Sequence, residues 1–274
     1  MFIVAVIWRN ALGATVVNSN RKWLTRIDHF TISAGVARSA CQIYNDATLI
    51  VYYPFDTVDT FNDYSVNLFN GIASGTTTIS QGYFGQALYF SSNMSYFQAA
   101  CLPTMDISSP SFTFALWVNP ATLTNGGSLI HVSNLQIGNG SLCYDLLAFT
   151  STGDLVVQWL QSSLTITSIK GPVLSVNKWT HVVVVFETSN GLQLYINGQL
   201  NAISASISSL TMYTYTVPQY ITLGNNSPLG PFVSMSCRNG LIPIVSGAFT
   251  GAIDEFRIYN RDLNNQEICV LANL

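Results

Sequence analysis

From residue 49 onward the chain is cut into short apolar, β-branched and aromatic runs, each closed by turn-forming residues. Leu49–Asp56 ends on Pro54-Phe55-Asp56, Phe112–Asn119 stops at Pro120, and Gly153-Asp154 separates Leu142–Phe149 from Leu155–Leu160. Ala87–Phe90, Ser95–Ala99, Ser128–Ser133, Leu164–Ile169, Tyr220–Leu223 and Ala248–Tyr259 read the same way. Between Trp179–Glu187 and Leu192–Ile196 stands Asn190-Gly191, a pair that adopts positive φ at low cost and so signals a hairpin. Many short strands with hardly any helical periodicity predict an all-β chain, an antiparallel β-sandwich or barrel. The one predicted helix is at the end. Asn264 is placed to cap it, Glu267 three residues on completes a reciprocal capping pair, and Ile268, Leu271 and Ala272 share a face that is expected to seal an open end of the fold.

Composition narrows the class. Of 274 residues, 8% are charged and 49% apolar, which excludes a disordered chain. Ten Lys and Arg and a net charge of −3 exclude a phosphate-neutralising surface, so no nucleic-acid partner is expected. No run reaches the ~18 apolar residues of a spanning helix, so no membrane insertion by this domain is expected. The basic residues are unevenly placed: residues 1–38 hold Arg9, Arg21, Lys22, Arg26 and Arg38 against Asp28, and no Lys or Arg follows until Lys170. That shift sets a boundary near residue 40, with 1–40 an N-terminal extension and 41–274 the folded domain. The extension is either a leader with Met1–Trp8 as its apolar core or the stub of a longer, multidomain chain.

Cys41, Cys101, Cys143, Cys237 and Cys269 show no Cys-x-x-Cys spacing, which argues against zinc. Glycosylation sequons occur at Asn93-Met94-Ser95, Asn139-Gly140-Ser141 and Asn225-Asn226-Ser227. Scattered cysteines, these sequons and a polar surface built from Ser, Thr and Asn point to an oxidising, extracellular compartment, whether secreted or the ectodomain of a membrane protein. Trp117 and Trp179, on apolar strands, are expected to fill the space between sheets, and His181 to be a structural residue.

Six blocks carry a resemblance. They are Leu49-Ile50-Val51-Tyr52-Tyr53-Pro54-Phe55-Asp56, Gly82-Tyr83-Phe84-Gly85-Gln86-Ala87-Leu88, Ser111-Phe112-Thr113-Phe114-Ala115-Leu116-Trp117-Val118, Trp179-Thr180-His181-Val182, Leu194-Tyr195-Ile196-Asn197-Gly198 and Gly251-Ala252-Ile253-Asp254-Glu255-Phe256-Arg257-Ile258-Tyr259-Asn260. In this order they resemble the laminin G-like domains of the concanavalin A-like jellyroll superfamily. The resemblance implies a jellyroll sandwich and a structural calcium ion (Ca2+) between the first and last strands, projected onto Asp56 and Asp254 with Asp63 as a third ligand. Oxygen ligands of this kind suit a hard cation. The family's glycine-bearing loop is replaced here by Asp63-Tyr64-Ser65-Val66-Asn67. Adjacency of first and last strands also implies a Cys41–Cys269 bridge; Cys143–Cys237, both beside long loops, is the second pair, leaving Cys101 over.

Glycoside hydrolases on this fold need paired carboxylates from Glu-x-Asp-x-x-Glu, and the glutamates Glu187, Glu255 and Glu267 offer no such spacing. Asp254 and Glu255, neighbours on a strand, are expected to point to opposite faces. The chain therefore reads as a non-enzyme: an extracellular recognition or cell-adhesion module for a glycan or protein ligand. A spacer module of a larger receptor is the alternative, and a glycoside hydrolase-related domain a weaker one. Tyr213 and Tyr215, alternating on one face of Thr211–Val217, with Tyr220 beyond, form a candidate carbohydrate platform.

Overall fold

Alternation along two central runs shows how the chain is built. In Ser111–Pro120 the side chains of Phe112, Phe114, Leu116 and Val118 enter the core, and in Thr180–Glu187 those of Val182, Val184 and Phe186 do. The two strands run antiparallel with Leu116 opposite Val182 and Phe114 opposite Val184, so both apolar sets fall on one face.

The computed structural model describes residues 5–6, 16–17, 47–56, 59–79, 81–102, 111–124, 126–140, 142–161, 165–187, 189–205, 219–228 and 237–273. In chain order the strands are β1 (Ala5–Val6), β2 (Val16–Val17), β3 (Leu49–Tyr53), β4 (Gly71–Ser74), β5 (Thr76–Ile79), β6 (Ala87–Phe90), β7 (Tyr96–Leu102), β8 (Ser111–Pro120) and β9 (Gly127–Ser133). They continue with β10 (Cys143–Phe149), β11 (Asp154–Leu160), β12 (Ile166–Val173), β13 (Thr180–Glu187), β14 (Gly191–Ile196), β15 (Gln199–Ile203), β16 (Gln219–Leu223) and β17 (Gly251–Tyr259), followed by helix α1 (Asn265–Leu271). β1 and β2 pair with each other.

The remaining strands form two antiparallel sheets. One is seven-stranded, in the order β12-β11-β10-β9-β16-β7-β4; the other is eight-stranded, running β15-β14-β13-β8-β17-β6-β5, with β3 also paired to β17. The non-sequential neighbours are those of a jellyroll rather than a meander. Between the sheets Trp159 lies flat against Phe186 with ring centroids 4.1 Å apart, and Tyr53, Phe55 and Phe97 meet edge to face or stacked. Each such buried aromatic contributes about 1.5–3 kcal/mol of transfer free energy.

Within the two sheets, three strands, β4, β5 and β15, were not expected from the pattern. Gly71–Ser74 and Gln199–Ile203 are short and half-exposed to exposed, so they lack the apolar run that marks an inner strand. β15 is set by its turn: Asn197 (φ 49) and Gly198 (φ 80) both take the left-handed conformation of a two-residue hairpin turn.

Helix α1 carries the predicted capping box, with Asn264 accepting from the backbone of Gln266 and Glu267 while Glu267 accepts from the Asn264 N–H. Its position differs from expectation. Ile268 and Leu271 pack with Ala115, Val183, Val185, Tyr195 and Tyr259, residues alternating with the core set, so the helix covers the outer face of the eight-stranded sheet and does not plug an end.

Candidate functional site

Two aspartates are turned toward one loop by two residues in uncommon backbone conformations. Phe55 (φ 55) precedes Asp56 just beyond β3, and Glu255 (φ 55) follows Asp254 in β17, where pairing with β8 slips register. The left-handed conformation costs an L-residue of order 1–2 kcal/mol and is tolerated where the surroundings fix it. The loop they meet is Gly82–Gln86. The Gln86 N–H donates to Asp56 Oδ1 at 3.1 Å, the Phe84 N–H to Asp254 Oδ2 at 3.0 Å, and the Glu255 N–H to Asp254 Oδ1 at 2.8 Å. The Gly82 N–H closes the loop on the Gly85 carbonyl at 3.2 Å.

A side chain at either glycine would crowd its neighbours. A Cβ on Gly85, at φ 64, would stand 2.4 Å from Asp56 Oδ1; one on Gly82 would stand 2.9 Å from Asp254 Oδ2. In the same loop Gln86 Oε1 is buried with no hydrogen-bond partner. A buried amide oxygen left unpaired is costly, so its presence at a loop already holding two carboxylates marks a place suited to a ligand of oxygen.

An aromatic wall adjoins the loop. Tyr83 stacks on Trp117 with centroids 3.2 Å apart, and Trp117 packs against His181 at 5.0 Å. Trp117 therefore does not fill the space between sheets. It alternates with Leu116 and Val118 and lies on the outer face of the eight-stranded sheet, while the tryptophan of the core is Trp159. Burial, with the nearby Arg257 cation, pushes the His181 imidazole down to about 3, so it stays neutral. The expectation that Asp254 and Glu255 face opposite ways also fails at the register slip. Glu255 joins Arg257 in a buried ion pair on the outer face, accepting the Tyr52 hydroxyl at 2.9 Å, and the guanidinium lies 4.1 Å above the Tyr52 ring.

Asp63 has other work. Its carboxylate accepts the N–H groups of Tyr52, Ser65 and Phe69 at 2.8, 2.8 and 2.9 Å and the Ser65 hydroxyl at 2.7 Å. Burial raises its pKa, against the opposing pull of these bonds. Among the described residues no three acidic, histidine or cysteine side chains gather as a metal-holding group, so Asp63 is an anchor for the loop after β3 and does not join Asp56 and Asp254.

A second polar assembly, not anticipated from the sequence, lies on the outer face of the seven-stranded sheet. Gln98, Thr222, His131, Asp145, Gln158 and Ser168 follow one another on β7, β16, β9, β10, β11 and β12. His131 Nδ1 lies 2.8 Å from Asp145 Oδ1 and its Nε2 2.8 Å from the Gly138 carbonyl; the Ser246 hydroxyl donates to the other Asp145 oxygen. Gln98 Nε2 donates to Thr222 Oγ1 and to the Gln136 carbonyl. Two backbone straps, residues 134–140 and 237–247, lie over this row. The second is fixed by Arg238 N–H to Cys143 O, Gly240 N–H to Gln158 Oε1 and Val245 N–H to Phe149 O. Single polar residues at outward positions of otherwise apolar strands were the only sequence signal for this row.

A family model described as the concanavalin A-like lectin/glucanases superfamily, laminin G type, matches residues 92–269. The chain belongs to that superfamily. Solved superfamily-like folds agree with the two-sheet architecture. The binding domain of Paraclostridial Mosquitocidal Protein 1 superposes with a TM-score of 0.59 at 20% identity, over 84% of this chain and 52% of that one. The binding domain of botulinum neurotoxin DC, solved in complex with SialylT and with rat synaptotagmin II, gives 0.57 at 16% and 14% identity, again over 84% and 52%. Domain 4 of AbnA, an extracellular GH43 arabinanase from Geobacillus stearothermophilus, in complex with arabinotriose, gives 0.50 at 18% identity over 82% of this chain and 98% of that domain. The chain spans about half the length of the toxin binding domains it matches. A comparison with curated protein sequences finds no match.

Within this superfamily member, other expected positions divide. Cys143 and Cys237 form a disulfide that ties the second strap to β10. Cys269 carries an exposed free thiol on α1, so the expected Cys41–Cys269 bridge is not made; Cys41 lies outside the described residues. Tyr213 and Tyr215 also lie outside them, and Tyr220, on β16, is half-buried opposite Ser133. Among the sequon asparagines Asn93 is exposed and Asn139 half-buried. Asn225 is buried with its amide engaged, which removes it as an accessible acceptor in the folded chain.

Proposed function

We propose that this chain is a non-catalytic recognition or adhesion module of an extracellular protein, binding a glycan or protein ligand through loops, with a structural calcium ion at the Gly82–Gln86 loop. The observation that carries the cation reading is that Asp56 and Asp254 both accept N–H groups of one glycine-built loop, whose Gln86 Oε1 is buried without a partner. The residues present fit a hard cation: two carboxylates and an amide oxygen, with backbone kept close by the lack of a Cβ at Gly82 and Gly85. Bound there, calcium would supply charge neutralisation and a tie between the β3 and β17 ends and the loop. The protein's own part is positional. Phe55 and Glu255 aim the carboxylates, while the Tyr83–Trp117 stack holds the loop against the outer face.

Three observations support the wider reading. The solved neighbours include a binding domain in complex with SialylT and with rat synaptotagmin II, and an arabinanase domain in complex with arabinotriose. The Cys143–Cys237 bridge suits an oxidising compartment, and among the described residues no helix is long and apolar enough to cross a membrane. Asp145, central on the outer face of the seven-stranded sheet, is held by His131 and Ser246 beneath a strap, an arrangement poorly suited to flanking a glycosidic bond. A glycan array probed with calcium and again with chelator tests the reading. Glycan signal lost on chelation is expected; turnover of an arrayed oligosaccharide would overturn the non-catalytic reading, and a blank array with retained protein capture would assign the ligand to protein.

A further inference from the structure

The sequons at Asn93 and Asn225 are far apart in sequence yet meet in the fold. Asn93 sits at the exposed tip of the turn 91–95, between β6 and β7. Ser95 holds that turn: its hydroxyl oxygen accepts the N–H groups of Ser91 and Ser92 at 3.3 and 3.0 Å and donates to the Gly75 carbonyl at 2.6 Å. Asn225 holds it from behind. Only 3% exposed, it donates from Nδ2 to the carbonyls of Asn93 at 2.9 Å and Ser95 at 3.4 Å, and its Oδ1 accepts the Ser227 N–H at 3.1 Å. One sequon asparagine thus presents its amide to solvent, while the other spends its amide clamping the backbone of the first.

We propose that Asn93 is an N-glycan acceptor of this chain and that Asn225 stays unmodified. The proposal rests on the extracellular reading above. In the transfer, Asn93 Nδ2 forms a bond to the anomeric carbon of a lipid-pyrophosphate-linked oligosaccharide. The bond from that carbon to the phosphate oxygen breaks, the lipid pyrophosphate leaves, and one amide proton is lost to a base of the transferase. At Asn93 the sugar projects from the tip and every bond of the turn survives, because its backbone carbonyl, not its side chain, is what Asn225 uses. At Asn225 the same reaction puts a sugar where the amide meets two carbonyls, so a chain modified there cannot close the 91–95 turn. Folding then selects chains in which Asn225 is bare.

The location has a consequence for binding. The turn 91–95 follows the C-terminal end of β6 and the Gly82–Gln86 loop precedes its N-terminal end. A four-residue strand spans ~13 Å, so the glycan attachment point and the Gly82–Gln86 loop stand at opposite ends of β6.

The test is secretion of the full chain from eukaryotic cells behind a supplied leader, with intact mass read before and after peptide N-glycosidase treatment. Asn93→Gln is expected to lose the mass of one glycan. Ser227→Ala erases the Asn225 sequon without altering the Asn225 amide and is expected to leave the glycan mass unchanged. A folded Asn93→Gln protein with the full wild-type glycan mass, or loss of a glycan in Ser227→Ala, overturns the proposal. Should Asn93→Gln fail to fold, peptide mapping of the wild-type protein after deglycosylation answers the same question, since the enzyme converts an occupied asparagine to aspartate. The supplied leader separates acceptor choice from natural export, which is read by whether the chain reaches the medium without it.

Discussion

On the outer face of the seven-stranded sheet, the two central polar residues are fully spent. Both ring nitrogens of His131 and both carboxylate oxygens of Asp145 have protein partners, and the covering straps are bonded strand by strand. At the Gly82–Gln86 loop the groups are of similar kind, but the accounting is left open: Gln86 Oε1, Trp117 Nε1 and His181 Nδ1 are buried without partners. Unmet polar atoms occur on both faces, since Gln98 Oε1 and Ser168 Oγ of the polar row are also buried without partners. The Gly82–Gln86 loop differs in that its unmet oxygen belongs to a loop whose N–H groups bind two carboxylates. The backbone agrees. Strain at Phe55 and Glu255 flanks the open site.

The largest expected effect falls on the closed face. The Cys143–Cys237 bridge closes a 94-residue separation, so replacing both with serine should destabilise the domain by about 4–5 kcal/mol and lower its denaturation midpoint. Hydrogen exchange should quicken at Gly240 and Val245, whose N–H groups bind the sheet. Unchanged exchange there would mean that the strap does not depend on the bridge.

Asp63→Ala separates anchor from ligand. It strands three N–H groups, each worth about 1–3 kcal/mol if left unmet, so a loss of roughly 3 kcal/mol is expected in urea melts, with any calcium response retained. Loss of that response at full stability would restore Asp63 to the ligand set.

His181 gives the open region a pH signature. Folded, it titrates at about 3; unfolded, near its ordinary value of 6.5. Its contribution is fully present above pH 6.5 and falls as the pH drops toward 3, with a slope of up to about 1.4 kcal/mol per pH unit. Arg257, paired with Glu255, is the charge that opposes protonation. His181→Phe should flatten the acid limb of a stability–pH curve, and an unchanged limb would contradict this. The smallest loss of stability is expected from Gly85→Ala, about 1–2 kcal/mol from the left-handed φ and the close Asp56 oxygen, together with a weakened calcium response.

Local signals were legible and register was not. The Asn264–Glu267 capping box and the inner strands were readable because spacing and alternation lie within one segment. Trp117 was misplaced because its face depends on which neighbours alternate inward, and the Glu255 turn because a register slip cancels the period of two. His131 and Asp145 meet only through the pairing of β9 with β10, and the Asn225 clamp on Asn93 only through the return of the chain after β16. Asp56 and Asp254 were found through resemblance, while Gln86 carried no mark beyond its place after Gly85.

Thermal melting of the wild-type chain and of Asp254→Asn, each in about 1 mM calcium and in chelator, bears most directly on the open site. Were the ion bound with a Kd a hundredfold below its concentration, it would add about 2.7 kcal/mol to the folded state. The wild type should then melt several degrees higher in calcium than in chelator, with Asp254→Asn melting alike in both. Equal melting of the wild type in calcium and chelator, or a full calcium shift in Asp254→Asn, would contradict a cation held between β3, β17 and the Gly82–Gln86 loop.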